Sequence, residues 1–209
     1  KWFPSDSLFD RLGRAVCSAE ALPRKEFFEA WETARRIRRH MRGGEILDLA
    51  AGHGLLSAIL LILDNTSPHA TLVDLNPPPS FARVMRVLTE HWPQLTGRLE
   101  YQQRPIEEAR ATPDTLAVSV HACGVLTDQV LDLAIAAPCR VAVVPCCHDL
   151  HRCDLGGLAN WMDGPLAVDA TRVARLRSLG WDTRGLNIPA DITPKNHLLL
   201  GWPPGTTSP

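Results

Sequence analysis

One stretch constrains this chain more than any other: Glu45-Ile-Leu-Asp-Leu-Ala-Ala-Gly-His-Gly-Leu-Leu-Ser57. A short apolar run carries Asp48 and gives way to Gly52-His-Gly54. Residues 55–63 are then apolar except for Ser57. The pattern predicts a buried strand, a tight loop and a buried helix. Glycine lets the backbone turn sharply and approach a ligand closely. The helix that follows turns its free N–H groups and positive dipole end toward the loop. A second apolar run, Ala70-Thr-Leu-Val-Asp-Leu75, ends on Asp74, 22 positions after Gly52. A carboxylate at the end of the neighbouring strand therefore faces the glycine loop.

The spacing is not the full Gly-x-Gly-x-x-Gly of dinucleotide-binding folds, because Ser57 stands where the third glycine would be. That departure, with no catalytic Tyr/Lys pattern, argues against a nicotinamide dehydrogenase. A carboxylate about 20 residues after the loop is where such folds hold a ribose hydroxyl. The stretch Asp48-Leu-Ala50-Ala-Gly52-His-Gly54 resembles motif I of the class I S-adenosylmethionine (SAM) methyltransferases, with Ala50 in place of the first glycine. The resemblance implies that Asp48, Ala50, Gly52 and Gly54 cradle the methionine part of SAM. It gives the ribose hydroxyls to Asp74. The loop after the third strand, residues 104–107 with Ile106, then falls where these enzymes contact adenine.

The rest of the chain fits one α/β unit. Its 209 residues can bury a sizeable core, and 45% apolar residues suit a globular protein. The run at 60–63 is far too short to span a bilayer. No secretory leader is read at the start, so the six cysteines are expected as free thiols in a reducing cytoplasm. A net charge of −1 gives no global pull toward nucleic acid.

Residues 5–17 and 23–41 read as two N-terminal helices, with Ser5 or Asp6 capping the first. Arg35, Arg36, Arg38, Arg39 and Arg42 cluster at the end of the second. They are either a solvated face favoured by the helix C-terminus or a phosphate-binding patch. Further helices are expected over 80–91, with Ser80 as cap, and over 127–136 and 168–179. Strands are expected at 99–103, 115–120, 140–144, 182–188 and 196–202. Strands alternating with helices predict a parallel sheet covered on both faces. The last two strands are close enough to form a hairpin.

The fold class is thus α/β: a Rossmann-like, mostly parallel seven-stranded sheet with a C-terminal antiparallel strand and an N-terminal helical extension. The expected layout is one domain: helices over 1–42, a core over 43–202 and a disordered tail over 203–209.

Ligands bind beyond the C-terminal ends of strands in such sheets. Three polar sets fall there: the glycine loop, His121-Ala-Cys-Gly-Val-Leu-Thr-Asp128, and Cys146-Cys-His148 with His151 and Cys153 behind it. His-x-Cys-Gly-x-x-Thr-Asp followed by Cys-Cys-His resembles the signature of eukaryotic tRNA ribose 2′-O-methyltransferases and related methyltransferase-like proteins. Those tRNA enzymes carry N-terminal zinc-finger modules, and no such Cys/His spacing precedes the core in this chain. The resemblance implies methyl transfer to an acceptor, RNA among the candidates.

His121 or His148 could take the acceptor's proton near neutral pH, with Asp128 orienting one of them. His121 also falls beside the cofactor. A purely structural role remains open for each histidine, and Cys123 and Cys146 read as small buried hydrophobes. No metal site is assigned. Adjacent Cys146 and Cys147 on a strand would point to opposite sides, leaving Cys147, His151 and Cys153 as the set that could share an ion. Lys195 and Asn196, in the turn after the sixth strand, are the candidate acceptor contacts. A non-catalytic SAM- or RNA-binding module of the same fold, or an enzyme acting on a small molecule or protein, is the alternative.

Overall fold

The structure, a computed structural model, describes residues 2–206. In chain order its elements are α1 (Leu8–Ser18), α2 (Arg24–His40), β1 (Ile46–Leu49), α3 (Leu55–Leu63), β2 (Ala70–Asp74), α4 (Phe81–His91), β3 (Leu99–Gln103), β4 (Leu116–Ser119), α5 (Val125–Ala136), β5 (Arg140–Val143), α6 (Gly164–Ser178), β6 (Asp182–Asn187) and β7 (His197–Trp202). Short 3-10 turns follow α4 and β3.

The strands form one sheet in the order β3-β2-β1-β4-β5-β7-β6. The pairs β3–β2, β2–β1, β1–β4 and β4–β5 are parallel. Strand β7 is antiparallel to both β5 and β6, so β6 runs with the others. Chain order reverses between β1 and β4, and the C-terminal ends of those strands form the switch point where ligands bind.

Alternation along the strands builds two cores. Ile46, Leu72, Leu116, Val118, Ala142 and Leu200 pack on the face covered by α1 to α4. Leu47, Leu49, Val73, Ala117, Val141 and Leu199 pack on the other face, with α5 and α6. This is the period of two expected of strands buried on both faces. Helices α1 and α2 join the first core through Phe9, Phe27 and Trp31, with Phe3 from the segment before α1, and Phe9 and Phe27 stack with ring centroids 5.3 Å apart. No helix among the described residues is long and apolar enough to cross a membrane.

Several local expectations are corrected. Ser7, not Ser5 or Asp6, caps α1: its side chain accepts from the Asp10 N–H, and the Asp10 carboxylate accepts from the Ser5 N–H. Ser80 precedes α4 but makes no capping bond, because its hydroxyl is turned to His53. Helix α6 starts at Gly164, four residues early, since a proline in the first turn lacks only an N–H that would have no partner there.

The arginine cluster is only partly a solvated face: Arg35, Arg39 and Arg42 are exposed. Arg38 is buried, donating to Leu60 O and Ser67 Oγ beside Asp64. Arg36 is tied to Glu32 and to Asn187 O. Helix α2 runs down from the glycine loop toward the start of β1, which leaves Arg39 and Arg42 at the far rim. In the tail, residues 203–206 make a turn closed by Thr206 on Pro203 O. The remainder of the expected disordered tail lies outside the described residues.

Candidate functional site

The glycine loop connects β1 to α3 and takes its shape from left-handed residues. Ala50, Gly52 and Gly54 have φ of 54°, 51° and 66°. An added Cβ at Gly52 would meet nothing within 4 Å, so that backbone is open to an approaching ligand. At Gly54 a Cβ would lie 2.1 Å from Leu72 Cδ2. Gly54 is therefore set by packing as well as conformation. Ala50 holds the same left-handed region with a side chain, at a cost of about 1–2 kcal/mol. The variant Ala50→Gly should stabilise the fold by about 0.5–1 kcal/mol once the added freedom of the unfolded chain is subtracted. Urea midpoints at constant m-value check this.

Asp74 sits across from the loop. One carboxylate oxygen accepts from Gly52 N–H at 3.0 Å and the other from Asn76 N–H at 3.0 Å. Each oxygen keeps a further lone pair for a hydroxyl. Tyr101 on β3 braces the same loop by donating to Gly52 O at 2.9 Å. Burial, then the charges of Asp74 and Asp48, raises its phenol above the usual range. It thus stays neutral and able to donate.

Asp48 is buried beneath the loop, and Ser57 Oγ donates to it at 2.8 Å. Burial pushes Asp48 up to about 7, and the Ser57 bond opposes that rise. Ser57, read only as a missing glycine, is the partner of this carboxyl group.

A cavity of about 50 Å³ opens beside the loop, between Glu26 and Ala30 of α2, Ala50 to His53, and Val120 and His121 after β4. His53 joins the walls: Nε2 lies 2.9 Å from Ser80 Oγ and Nδ1 lies 3.6 Å from Glu26. The N-terminal helix α2 thereby forms one side of the candidate ligand site. The cavity takes only one end of a nucleoside-sized ligand, since whole ligand pockets run to about 300–1,000 Å³. Ile106 is buried against the second core after β3, on the same sheet edge as Asp74.

At the ends of β4 and β5 the arrangement differs from the expected one. Asp128 orients no histidine. Its carboxylate takes a two-bond clasp from Arg172, at 2.9 and 2.8 Å, and Arg172 also donates to Gly124 O. The residue that holds His148 is Asp169 of α6, with Oδ1 2.8 Å from Nε2. Its other oxygen lies 2.9 Å from His197 Nδ1. Burial raises the Asp169 carboxyl, but the bonds from His148 and His197 and the charge of Arg172 more than offset it and hold it below the usual carboxylate range. An ionised Asp169 only accepts, so the hydrogens lie on His148 Nε2 and His197 Nδ1. Neutral His148 then carries its lone pair on Nδ1. That atom is buried and has no hydrogen-bond partner among the described residues.

His121 is exposed at the rim of the glycine-loop cavity. His148 lines a separate open cavity of about 570 Å³ with Cys123, Gly124, Cys147, Asp149 and Arg152. Lys195 is exposed on the rim after β6, while Asn196 closes the hairpin by donating to Ile188 O.

The cysteines also depart from expectation. Strand β5 ends at Val143, so strand alternation does not govern Cys146 and Cys147, which lie in the loop after Pro145. Their sulfurs and that of Cys123 all lie within 4.8 Å of one another. Cys153 is buried beside Arg172 and His151 is exposed, so neither belongs to this group.

Sequence reasoning missed Tyr101, Asp169, His197, Glu26 and His53. Tyr101, as the chain's single tyrosine, was the one with a signal. Asp169 and His197 lie in no motif, and only the fold brings them to His148.

Residues 25–153, more than half of the chain, match the family described as Methyltransferase domain. No curated protein matches in sequence. Among solved structures, an O-methyltransferase family protein from Burkholderia thailandensis is similar at a TM-score of 0.50 and 16% identity, covering 95% of this chain and 57% of that one. The B. subtilis tRNA methyltransferase TrmK is similar at 0.53 and 13%, covering 83% and 65%. The mitomycin 7-O-methyltransferase MmcR is similar at 0.52 and 17%, covering 93% and 60%. The chain spans less than two thirds of each of these structures, and at such identity the likeness concerns the fold. Sequence match, sheet order and glycine loop agree: this chain belongs to the Methyltransferase domain family.

Proposed function

We propose that this chain transfers a methyl group from SAM to a hydroxyl acceptor, with an RNA ribose hydroxyl as the favoured class. The observation that carries the reading is the glycine loop facing the Asp74 carboxylate, and His148 lies in the wall of an open cavity on the same sheet rim. The loop fits the cofactor: Gly52 leaves open space above its backbone, and Asp74 keeps lone pairs for the ribose hydroxyls. Asp48, Ala50 and Gly54 shape the methionine end, and Ile106 backs the adenine end.

Bound there, SAM would supply an electrophilic methyl group to the acceptor oxygen. A small shift of the loop after β5 uncovers His148 Nδ1 to take the hydroxyl proton, and Asp169 stabilises the imidazolium through Nε2. The logic is that of an oriented base, in which a buried carboxylate fixes tautomer and aim. His121, at the rim of the glycine-loop cavity, orients the acceptor next to the cofactor. Asp128 has no part in the proton transfer, because it is committed to Arg172.

Support for an RNA acceptor comes from the paired His-x-Cys-Gly and Cys-Cys-His motifs and from Lys195 on the ligand rim. The test is incubation with labelled SAM and separate RNA, protein and metabolite fractions. The RNA fraction should take up the label. The variant Lys195→Ala should weaken RNA binding and lower its salt slope by about one phosphate contact, leaving SAM affinity unchanged. Label entering only protein or metabolites would rule out the RNA acceptor.

A further inference from the structure

We propose that Cys123, Cys146 and Cys147 bind a Zn²⁺ ion whose fourth coordination position opens into the cavity beside His148. The three sulfurs come from two loops, one after β4 and one after β5, and all lie within 4.8 Å of one another. Two sulfurs on a tetrahedral zinc stand about 3.8 Å apart, given zinc–sulfur bonds of about 2.3 Å. Cys123 and Cys146 are 2.8 Å apart. Small side-chain movements therefore bring all three onto one ion. The loops are locked together by the bond from Gly124 N–H to Cys147 O at 2.6 Å, so the set is preorganised.

Packing does not explain these residues. Free cysteine is among the most buried residue types, and Cys139 obeys that rule in the second core. Cys123 and Cys147 are exposed instead, and both line the cavity that contains His148. Thiolate donors select zinc and other soft ions over magnesium or calcium. Three protein ligands with an open fourth position are the pattern of a zinc that meets a small molecule. Metal binding does not depend on the methyltransferase reading. That the fourth ligand is the acceptor's donor atom does rest on it.

The test uses the full chain, purified reduced. Co²⁺ should bind at one ion per chain and give thiolate-to-cobalt charge-transfer bands, which Zn²⁺ then displaces. X-ray absorption of the zinc form should count three sulfurs at about 2.3 Å. Each of Cys123→Ser, Cys146→Ser and Cys147→Ser should weaken Zn²⁺ binding by more than the roughly 10–100-fold that loss of an outer partner costs. Cys17→Ser should leave it unchanged. Circular dichroism identifies any variant that fails to fold, and the sulfur count on the unaltered chain stands whatever those variants do. A reduced chain that shows no charge-transfer bands overturns the proposal. So does a site with fewer than three sulfurs, or a Cys123–Cys146 disulfide in place of the ion. Measuring SAM affinity on the same preparations keeps a failure of the metal site distinct from a failure of the cofactor assignment.

Discussion

Replacing His148 by alanine should lower turnover by about 10²–10⁴-fold, the usual contribution of a positioned acid–base group, and leave SAM affinity unchanged. The expectation follows from burial and hydrogen bonding together. The His148 side chain is 3% exposed, and Nε2 is held at 2.8 Å by a carboxylate that stays ionised. Its Nδ1 has no protein partner among the described residues. A buried lone pair with no partner is costly unless something else uses it, and a substrate hydroxyl is the simplest user once a shift of the loop after β5 uncovers that atom.

Asp169→Asn should also cut turnover while SAM binding holds, because the amide no longer fixes the tautomer. Asp128→Asn should behave differently. It loosens the clasp on Arg172, which is 3% exposed, so it should lower stability more than chemistry. Full turnover in a folded His148→Ala variant would move the base to His121.

A large structural effect is expected at Gly54. A methyl group there would overlap Leu72, which is fully buried and has no room to retreat. Overpacking typically costs about 1–3 kcal/mol, and the left-handed backbone adds about 1–2 kcal/mol. Gly54→Ala should therefore lose about 2–5 kcal/mol in urea unfolding, a large share of the stability of an ordinary domain. Gly52→Ala meets no neighbour and bears only the left-handed backbone cost of about 1–2 kcal/mol, so it should lose less stability than Gly54→Ala while weakening ligand binding. Equal losses of stability at the two positions would contradict the division of labour between them.

Much of this was legible because it is local. The run from Glu45 to Asp74 announces a strand, a left-handed loop, a helix and a second strand through periodicity and glycine alone, and the sheet has that form. Alternation of elements predicts the parallel sheet covered on both faces, but not the placement of β1 between β2 and β4 that creates the switch point. What stayed hidden depends on contacts between distant segments. Asp169 lies 21 positions from His148, in a helix whose polar residues carry no pattern pointing at the site. Asp128 lies in a readable motif, but its partner Arg172 is 44 positions away. The cysteine group was misread because strand alternation was carried past Pro145, where the ladder has already ended. Ser80 had the right residue type for a cap, and a competing partner, His53, took its hydroxyl.

The central claim is that the glycine loop and Asp74 bind SAM. Isothermal calorimetry of the unaltered chain and of Asp74→Ala tests it most directly. Hydrogen bonds to a charged group are worth about 1.5–3 kcal/mol, so the variant should bind SAM at least about tenfold more weakly with its fold intact. No heat of binding with either SAM or S-adenosylhomocysteine, or equal affinity in the two proteins, would contradict the account.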